Sequence, residues 1–209
     1  MIIKICGIRE VETLLCCEKN KVNFFGMVFY KDSPRNIKID QAVNLQSQSK
    51  MLSIKGVGVF VNEYFEDLKD LIKLLSLEYV QLHGNENNEY INKLKKLYLK
   101  IIKKISIKNK EDLKEIDNFQ NVDYYLFDYK NTKNELPGGN AKSFDWDIIE
   151  NLKIEKPWFL SGGINIENIS KISKNIKPYG IDLSSGVEKK LGIKDNEIIN
   201  NLVENIIDA

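Results

Sequence analysis

Residues 2–7 read IIKICG, an apolar, β-branched stretch of the kind that forms a buried strand, closed by Gly7. Seven further runs of this character follow: FFGMVF (24–29), IKGVGVFV (54–61), YVQLH (79–83), LKIIKKISI (99–107), DYYLFD (123–128), PWFL (157–160) and YGIDLSS (179–185). Sequence with helical periodicity separates each run from the next. The chain therefore predicts eight strands that alternate with helices.

The spacing of these runs decides the fold class. One strand and one helix together occupy roughly 26 residues, the scale of a strand with its crossover helix. Strict alternation predicts a parallel sheet with helices outside it, and eight such units are what a (β/α)8 TIM barrel requires. The alternative is an open doubly wound sheet, but its glycine-rich fingerprint after the first strand is missing. We expect an α/β, single-domain TIM barrel over residues 1–209, with an ordered loop or lid at residues 129–143.

The charge balance argues against nucleic acid and anionic membranes as partners. Of the 209 residues, 43% are hydrophobic and 29% are charged, and the formal net charge is only +1. The basic stretch LKKLYLKIIKKISIKNK (94–110) is a local exception. Its strand and helix periods place most of its lysines on solvent faces, so we interpret it as a solvated surface.

Cysteine and histidine usage points to a reducing compartment and to chemistry without a metal. The cysteines Cys6, Cys16 and Cys17 form neither an even set nor a CxxC pair, and His83 is the sole histidine. The sequence shows no signal peptide and no apolar run of membrane-spanning length. We therefore expect a cytoplasmic protein without disulfides or zinc.

Polar residues stand at the ends of most of the predicted strands, where a barrel places its functional groups. Packing alone would not select such residues at these positions. They are Cys6, Arg35, Gln81, His83, Asp128, Ser161, Gly162, Gly163, Asp182, Ser184, Ser185 and Gly186. Because the strand ends meet at one mouth of a barrel, these residues form the candidate site.

Lys4 and Cys6 share one face of the first strand, so Lys4 points into the barrel one layer below the thiol. A buried ammonium needs a partner, and Asp182 on the eighth strand, which neighbours the first in a closed barrel, is the natural one. A nearby ammonium would help to lower the pKa of the thiol. Two interpretations stay open: a thiol that does chemistry, and a structural ion pair beside a bystander cysteine.

Glycines and serines in the loops after the last strands favour a phosphate site. Glycine lets the backbone approach an anion closely, and serine hydroxyls add donors. In TIM barrels, the loops after strands seven and eight often build such a site. The contributors here are Gly162 and Gly163, then Ser184, Ser185 and Gly186, and in the sixth loop Gly138 and Gly139.

Arg35 and His83 each have two interpretations. Arg35 lies in a loop over the mouth, where its planar guanidinium would grip a carboxylate with two hydrogen bonds, although a solvated surface arginine is the commoner case. The lone His83 invites a catalytic role, and a neutral, hydrogen-bonded histidine of the barrel wall fits equally well.

The strand ends taken together resemble one family. KICGI, GMVFYKDSPR, VGVFV, QLHG, YYLFD, PGGNAKSFDW, LSGGI and GIDLSSGVE occur here in the order seen in phosphoribosylanthranilate isomerase, over nearly the whole chain. The resemblance implies a (β/α)8 barrel of tryptophan biosynthesis, acting without a cofactor on a small phosphorylated substrate, as a monomer or homodimer. The implied reaction is the Amadori rearrangement of N-(5-phosphoribosyl)anthranilate to 1-(2-carboxyphenylamino)-1-deoxyribulose 5-phosphate.

Carried over by position, the resemblance implies Cys6 as general base and Asp128 as general acid. Arg35, Gln81 and His83 would contact the substrate, with Arg35 on the anthranilate carboxylate. The substrate phosphate would bind Gly139, Gly162, Gly163, Ser184, Ser185 and Gly186, while Lys4 and Asp182 would have a structural or tuning role.

Two departures from the family pattern fall in the phosphate region: Asn140 and Ala141 stand where a third small or glycine residue is usual, and Ser161 replaces a typical alanine. A phosphosugar isomerase of histidine biosynthesis, or a dual-specificity enzyme, is the enzymatic alternative, but it uses an aspartate base where Cys6 stands. A non-catalytic barrel that binds a phosphorylated metabolite is the other alternative. Such a barrel would need neither Cys6 nor Asp128.

Overall fold

The predicted strands close into a barrel. The computed structural model describes residues 1–131, 138–139, 141–150, 152–172 and 176–207. Its parallel strands are β1 (Ile2–Cys6), β2 (Phe24–Phe29), β3 (Lys55–Phe60), β4 (Tyr79–Leu82), β5 (Lys100–Ile107), β6 (Tyr124–Tyr129), β7 (Trp158–Leu160) and β8 (Gly180–Leu183). They pair in chain order, and β8 returns to pair with β1. The TIM barrel is confirmed, and the open-sheet alternative is wrong.

Helices cover the outside of the sheet. They are α1 (Val11–Lys19), α2 (Ile39–Ser49), α3 (Phe65–Leu75), α4 (Asn88–Lys95) and α5 (Asn196–Ile207). In α3, Leu68, Ile72 and Leu75 recur at helical spacing and are buried, and Ser76 ends the helix in a left-handed conformation. None of the helices in the described part of the chain is long and apolar enough to cross a membrane.

Two crossovers differ from the expected α-helices. After β5 and β6 the described residues form 3-10 turns, at Lys110–Asn118 and Trp146–Ile149, whereas after β7 the 3-10 turn Ile169–Lys171 leads into Ile172, which has α-helical backbone and is the last residue described before 176. No residue of the first turn is fully buried, so tertiary packing adds little to the stability of a longer helix there. The expected loop at residues 129–143, including Asn140, lies partly outside the described residues.

A short antiparallel hairpin follows β8, and the sequence does not predict it. Strand β9 (Glu188–Lys190) pairs with β10 (Ile193–Lys194) outside the barrel sheet. Arg9 ties this hairpin to the mouth, because its guanidinium donates to the Gly192 carbonyl at 2.6 Å and to the Pro34 carbonyl at 3.3 Å. The hairpin therefore lies beside the carboxyl ends of the strands.

Side chains fill the barrel in layers, as is typical of the fold. A larger apolar core lies between the sheet and the helices. Inside the barrel, an apolar floor closes the end opposite the mouth, formed by Phe24, Val57, Ile102, Leu126 and Phe159. Polar side chains occupy the layers above this floor.

Candidate active site

The carboxyl ends of the strands surround a cavity of about 540 Å³. Most of the predicted site residues line it, namely Cys6, Arg35, Gln81, His83, Asp128, Gly138, Gly139, Ser161, Asp182 and Ser184. An adjoining cavity of about 350 Å³ shares several of these residues and adds Gly162, Gly163 and Ser185. Of the other two predicted residues, Lys4 lies below the mouth, and Gly186 lies against the carbonyl of Ile164.

Cys6 ends β1 and turns its thiol into the larger cavity. The side chain is buried against Val28 and Val59, and Gly26 on β2 stands opposite it in the strand register. Burial raises the pKa of the Cys6 thiol, while the Lys4 ammonium acts in the opposite direction. The nearby ammonium thus lowers the thiol pKa as expected, but burial outweighs it.

The ion pair between Lys4 and Asp182 is present, as the topology predicts. The two residues are register partners on β1 and β8, and Lys4 Nζ lies 2.8 Å from Asp182 Oδ1 with both side chains buried. Burial lowers the pKa of Lys4, but the charge of Asp182 and the facing Cys6 raise it above its ordinary value. Lys4 therefore keeps its proton, while burial raises the pKa of Asp182 against the opposing charge of Lys4.

Gln81, His83 and Asp128 form a row across the mouth. The Gln81 amide nitrogen lies 2.9 Å from His83 Nδ1, so the ring proton is placed on Nε2. That Nε2 lies 3.3 Å from Asp128 Oδ2 but is not aligned for a hydrogen bond, and Asp128 Oδ1 accepts from the Tyr129 amide at 2.8 Å. Burial and the charge of Lys104 lower the pKa of His83. His83 is therefore a neutral, hydrogen-bonded histidine that also lines the cavity.

Arg35 is a buried site residue, with only 3% of its surface exposed, and the solvated-surface interpretation is wrong. Its Nε donates to Glu188 Oε1 at 2.7 Å and its Nη2 donates to Glu188 Oε2 at 2.8 Å. Nη2 also reaches the Gly139 carbonyl at 3.2 Å. The Nε and Nη2 groups of Arg35 thus bind a carboxylate of the protein. The remaining nitrogen, Nη1, is turned towards Gly139 and the cavity.

Lys194, on the hairpin, is a second buried cation at the mouth. Its Nζ lies 2.8 Å from Glu188 Oε1, 2.9 Å from the Ser184 carbonyl and 3.4 Å from Ser184 Oγ. The Ser184 hydroxyl in turn donates to the Cys6 carbonyl at 3.3 Å. Ser184, expected to bind phosphate, is thus bonded to the residue that carries the thiol.

The loops after β7 and β8 border the smaller cavity with backbone groups. Gly162 and Gly163 have φ values of +89° and +64°, which favour glycine. A Cβ on Gly163 would come within 2.8 Å of the Lys142 carbonyl carbon. Ser185 begins a single 3-10 turn that ends at Val187. Backbone amides and a hydroxyl at such a turn suit an anion.

Four residues of the site are not singled out by the sequence reasoning. Glu188 and Lys142 lie within quoted motifs, and Lys142 lines the smaller cavity. Lys194 depends on the unpredicted hairpin. Lys104 lies two residues after Ile102 on β5, and residues two apart on a strand point to the same side. Because Ile102 faces inward, strand periodicity places Lys104 inside the barrel as well.

The basic stretch is a solvated surface only in part. Lys96, Lys100, Lys108 and Lys110 are exposed, whereas Lys103 and Lys104 are buried. Lys103 pairs with Glu86 at 2.9 Å. Both faces of a barrel strand are covered, which is why two adjacent lysines are buried. Within the described residues, no group of three or more His, Cys, Asp or Glu side chains could hold a metal ion.

Comparison with known proteins gives one consistent result. The family model for N-(5′-phosphoribosyl)anthranilate isomerase matches residues 3–205. The N-(5′-phosphoribosyl)anthranilate isomerase of Parabacteroides distasonis is 39% identical over 210 residues, covering 99% of this chain and 94% of the relative. That of Clostridium acetobutylicum is 40% identical over 203 residues, covering 96% and 95%.

Solved structures agree. The phosphoribosyl anthranilate isomerase of Thermotoga maritima superimposes with a TM-score of 0.89 at 31% identity over the full length of both chains. A phosphoribosyl anthranilate isomerase in complex with reduced 1-(o-carboxyphenylamino)-1-deoxyribulose 5-phosphate gives a TM-score of 0.87 at 30% identity, also over both full chains. With the barrel and the strand-end residues in place, the chain belongs to the N-(5′-phosphoribosyl)anthranilate isomerase family.

Proposed function

We propose that this chain catalyses the Amadori rearrangement of N-(5′-phosphoribosyl)anthranilate by general acid–base catalysis. The observation that carries the proposal is that Cys6 and Asp128, from β1 and β6, line one cavity whose neighbour is built from glycine-rich loops. A bound sugar phosphate would then lie between an acid and a base. No other function is favoured by a specific feature of the site.

The first step requires a general acid that protonates the ring oxygen of the ribose. Asp128 would give a proton to the ring oxygen of the ribose as the bond between that oxygen and C1 breaks, and the nitrogen lone pair would form a C=N bond to C1. His83, neutral and 3.3 Å from Asp128 Oδ2, lies beside this carboxyl group. The ring-opened Schiff base is the product of this step.

The second step requires a general base that removes the proton from C2. The Cys6 thiolate would take the proton from C2, and the electron pair of that C–H bond would move into the C1–C2 bond while the C=N electrons return to nitrogen. The resulting enol-amine becomes the ketone by proton transfer from oxygen to carbon. Both groups line the cavity from different strands, so they can flank one substrate without moving.

The two ends of the substrate find separate partners in the proposal. Gly162, Gly163 and Ser185 would hold the phosphate in the smaller cavity, with Lys142 beside it. The free corner of Arg35 would hold the anthranilate carboxylate, while Glu188 keeps the guanidinium in place. We expect a monomer or a homodimer; the Thermotoga maritima isomerase is described as dimeric.

The test is conversion of the substrate by the purified chain. Incubation with N-(5′-phosphoribosyl)anthranilate, followed by chromatography against authentic product, should show turnover, and the gene should restore growth without tryptophan to a bacterium that lacks this isomerase. The Asp128→Asn chain is the matched control and should do neither. A second incubation with the phosphosugar substrate of the histidine pathway tests dual specificity. A folded, soluble chain without turnover of the first substrate overturns the proposal.

A further inference from the structure

The hairpin brings a buried ammonium group to the neighbourhood of the thiol. Lys194 lies at the end of β10, and only 4% of its side-chain surface is exposed. Its three nearest acceptors are the Glu188 carboxylate, the Ser184 carbonyl and the Ser184 hydroxyl. An ammonium has three N–H donors, so the protein itself satisfies the charged form.

Burial disfavours this charge and keeps the pKa of Lys194 below its ordinary value, and Glu188 opposes part of that effect. Burial lowers the pKa of Lys194, while the charge of Glu188 and its hydrogen bond act in the opposite direction, as does a charge on Cys6. Glu188 is shared, since the same carboxylate also binds the Arg35 guanidinium through both oxygens. Two cations around one carboxylate leave the cluster with one excess positive charge.

Four charged groups influence the pKa of the Cys6 thiol: Lys4 on β1, Asp182 on β8, Lys194 on β10 and Arg35 in the loop after β2. The first two are paired with each other, 2.8 Å apart. The Arg35 guanidinium is matched by the two oxygens of Glu188. Arg35 and Lys194 together therefore outnumber the single Glu188 carboxylate, and Lys194 is the one connected to Cys6, through the Ser184 hydroxyl.

We propose that Lys194 is a positioning residue for the reaction, whose ammonium stabilises the thiolate of Cys6 from the hairpin side of the mouth. The inference rests on the proposed function only in so far as Cys6 is the base. Arg9 and Arg35 bond to the hairpin from the barrel side and fix the position from which Lys194 would act.

The experiment measures the reactivity of Cys6 without any substrate. Iodoacetamide alkylates thiolates by displacement of iodide, so the rate of Cys6 modification against pH reports its ionisation. Peptide mass spectrometry separates Cys6 from Cys16, which lies on α1 with no contribution from Lys194 and serves as an internal reference. Because no turnover is involved, the result can be read even if the isomerase proposal fails.

In Lys194→Met we expect the midpoint of the Cys6 profile to rise by about one pH unit, since removal of a nearby opposite charge has an effect of that size. The Cys16 profile should stay in place, and Lys194→Arg should restore the Cys6 profile. Lys190→Met, which removes an exposed charge from the same hairpin, is the matched control and should leave it unchanged.

Lys194→Gln is the second variant, since an amide keeps hydrogen-bond capacity without the charge. If Lys194→Met does not fold, the glutamine variant carries the test. A Cys6 profile that stays in place in a folded Lys194 variant overturns the proposal, and so does an equal shift in Lys190→Met.

Discussion

Cys6 and Asp128 carry the proposed proton transfers, and each can be changed without a large change in volume. Because Cys6→Ala removes the base and Asp128→Asn the acid, we expect kcat to fall by about 10²- to 10⁴-fold in each, the usual contribution of one general acid or base. Steady-state kinetics measures this. Cys16→Ala, at a half-buried position on α1, is the control and should keep its kcat. Full activity in Cys6→Ala would remove the base assignment.

Arg35 and Arg9 are the two arginines of a lysine-rich chain, and they form a matched pair. Arg35 lines the cavity, whereas Arg9 donates to the backbone carbonyls of Pro34 and Gly192 beside it. Lysine cannot hold Glu188 through two atoms and reach the substrate as well, so we expect Arg35→Lys to raise KM by about tenfold, roughly one charge-assisted hydrogen bond.

The comparison for this substitution is Arg9→Lys, which keeps a donor towards the same carbonyls. Its KM should stay within about twofold of the natural chain, with at most a small loss of stability. An Arg35→Lys effect confined to kcat, with an unchanged KM, would argue against a role in holding the anthranilate end.

Single residues were predictable where topology alone decided their neighbours. The pair between Lys4 and Asp182 follows from alternation on two strands that must meet in a closed barrel. The net direction of the Cys6 pKa does not follow, because depth of burial is a property of the folded molecule. The partner of Arg35 could not be predicted either, because Glu188 lies on β9, and no local sequence pattern predicts that strand.

At the scale of elements, β2 carries a glycine, Gly26, at the position next to the Cys6 thiol. A Cβ on Gly26 would lie 2.9 Å from Cys6 Sγ and 3.0 Å from Cys6 Cα. We expect Gly26→Ala to displace the thiol and to lower kcat by more than about tenfold, since small misplacements at a reacting centre are costly. Steady-state kinetics with the purified variant measures the effect.

Gly56 provides the control on the neighbouring strand β3. A Cβ there meets the side chains of Gln46 and Phe25 on the outer side of the sheet, away from the cavity. Gly56→Ala should lower the melting temperature and keep kcat. Equal losses of kcat in the two variants would show that the effect is general loosening of the barrel rather than displacement of Cys6.

The elements themselves were predictable in proportion to how much apolar surface they bury. The strands, which are covered on both faces, match their predicted positions to within one or two residues. The segment Lys110–Asn118 has helical periodicity but no fully buried residue, and it forms a 3-10 turn instead. Strands β9 and β10 are only three and two residues long. Side chains from distant parts of the chain hold them in place, so no local sequence pattern predicts them.

At the scale of the whole molecule, His83 sets a pH dependence of stability. Burial holds its pKa below the ordinary value of 6.5. The unfolded chain therefore takes up a proton that the folded chain does not, so stability is full above about pH 6.5 and decreases as the pH falls below it. One such group contributes at most about 1.4 kcal/mol per pH unit.

The sole histidine makes this effect separable. We expect the free energy of unfolding in urea to drop between pH 7.5 and pH 5.5, and to drop less in His83→Gln. Asp182 and Glu115, whose pKa values are raised by burial, act in the opposite direction, and the loss of His83, whose charge lowers the pKa of Asp182, strengthens the Asp182 effect in the variant. The same drop in both chains would assign the pH dependence to groups other than His83.

Closure of the barrel through β1 and β8 has a consequence for how the chain is made. The contact between Lys4 and Asp182 spans 178 positions, and that between Arg35 and Glu188 spans 153. Contacts of such separation are slow to form because a long loop must close first. On the ribosome, Cys6 therefore emerges long before the strand and hairpin that enclose it. Until they arrive, its thiol is open to cellular oxidants, and afterwards small molecules reach it through the cavity at the mouth, where the burial that raises its pKa also makes it less reactive.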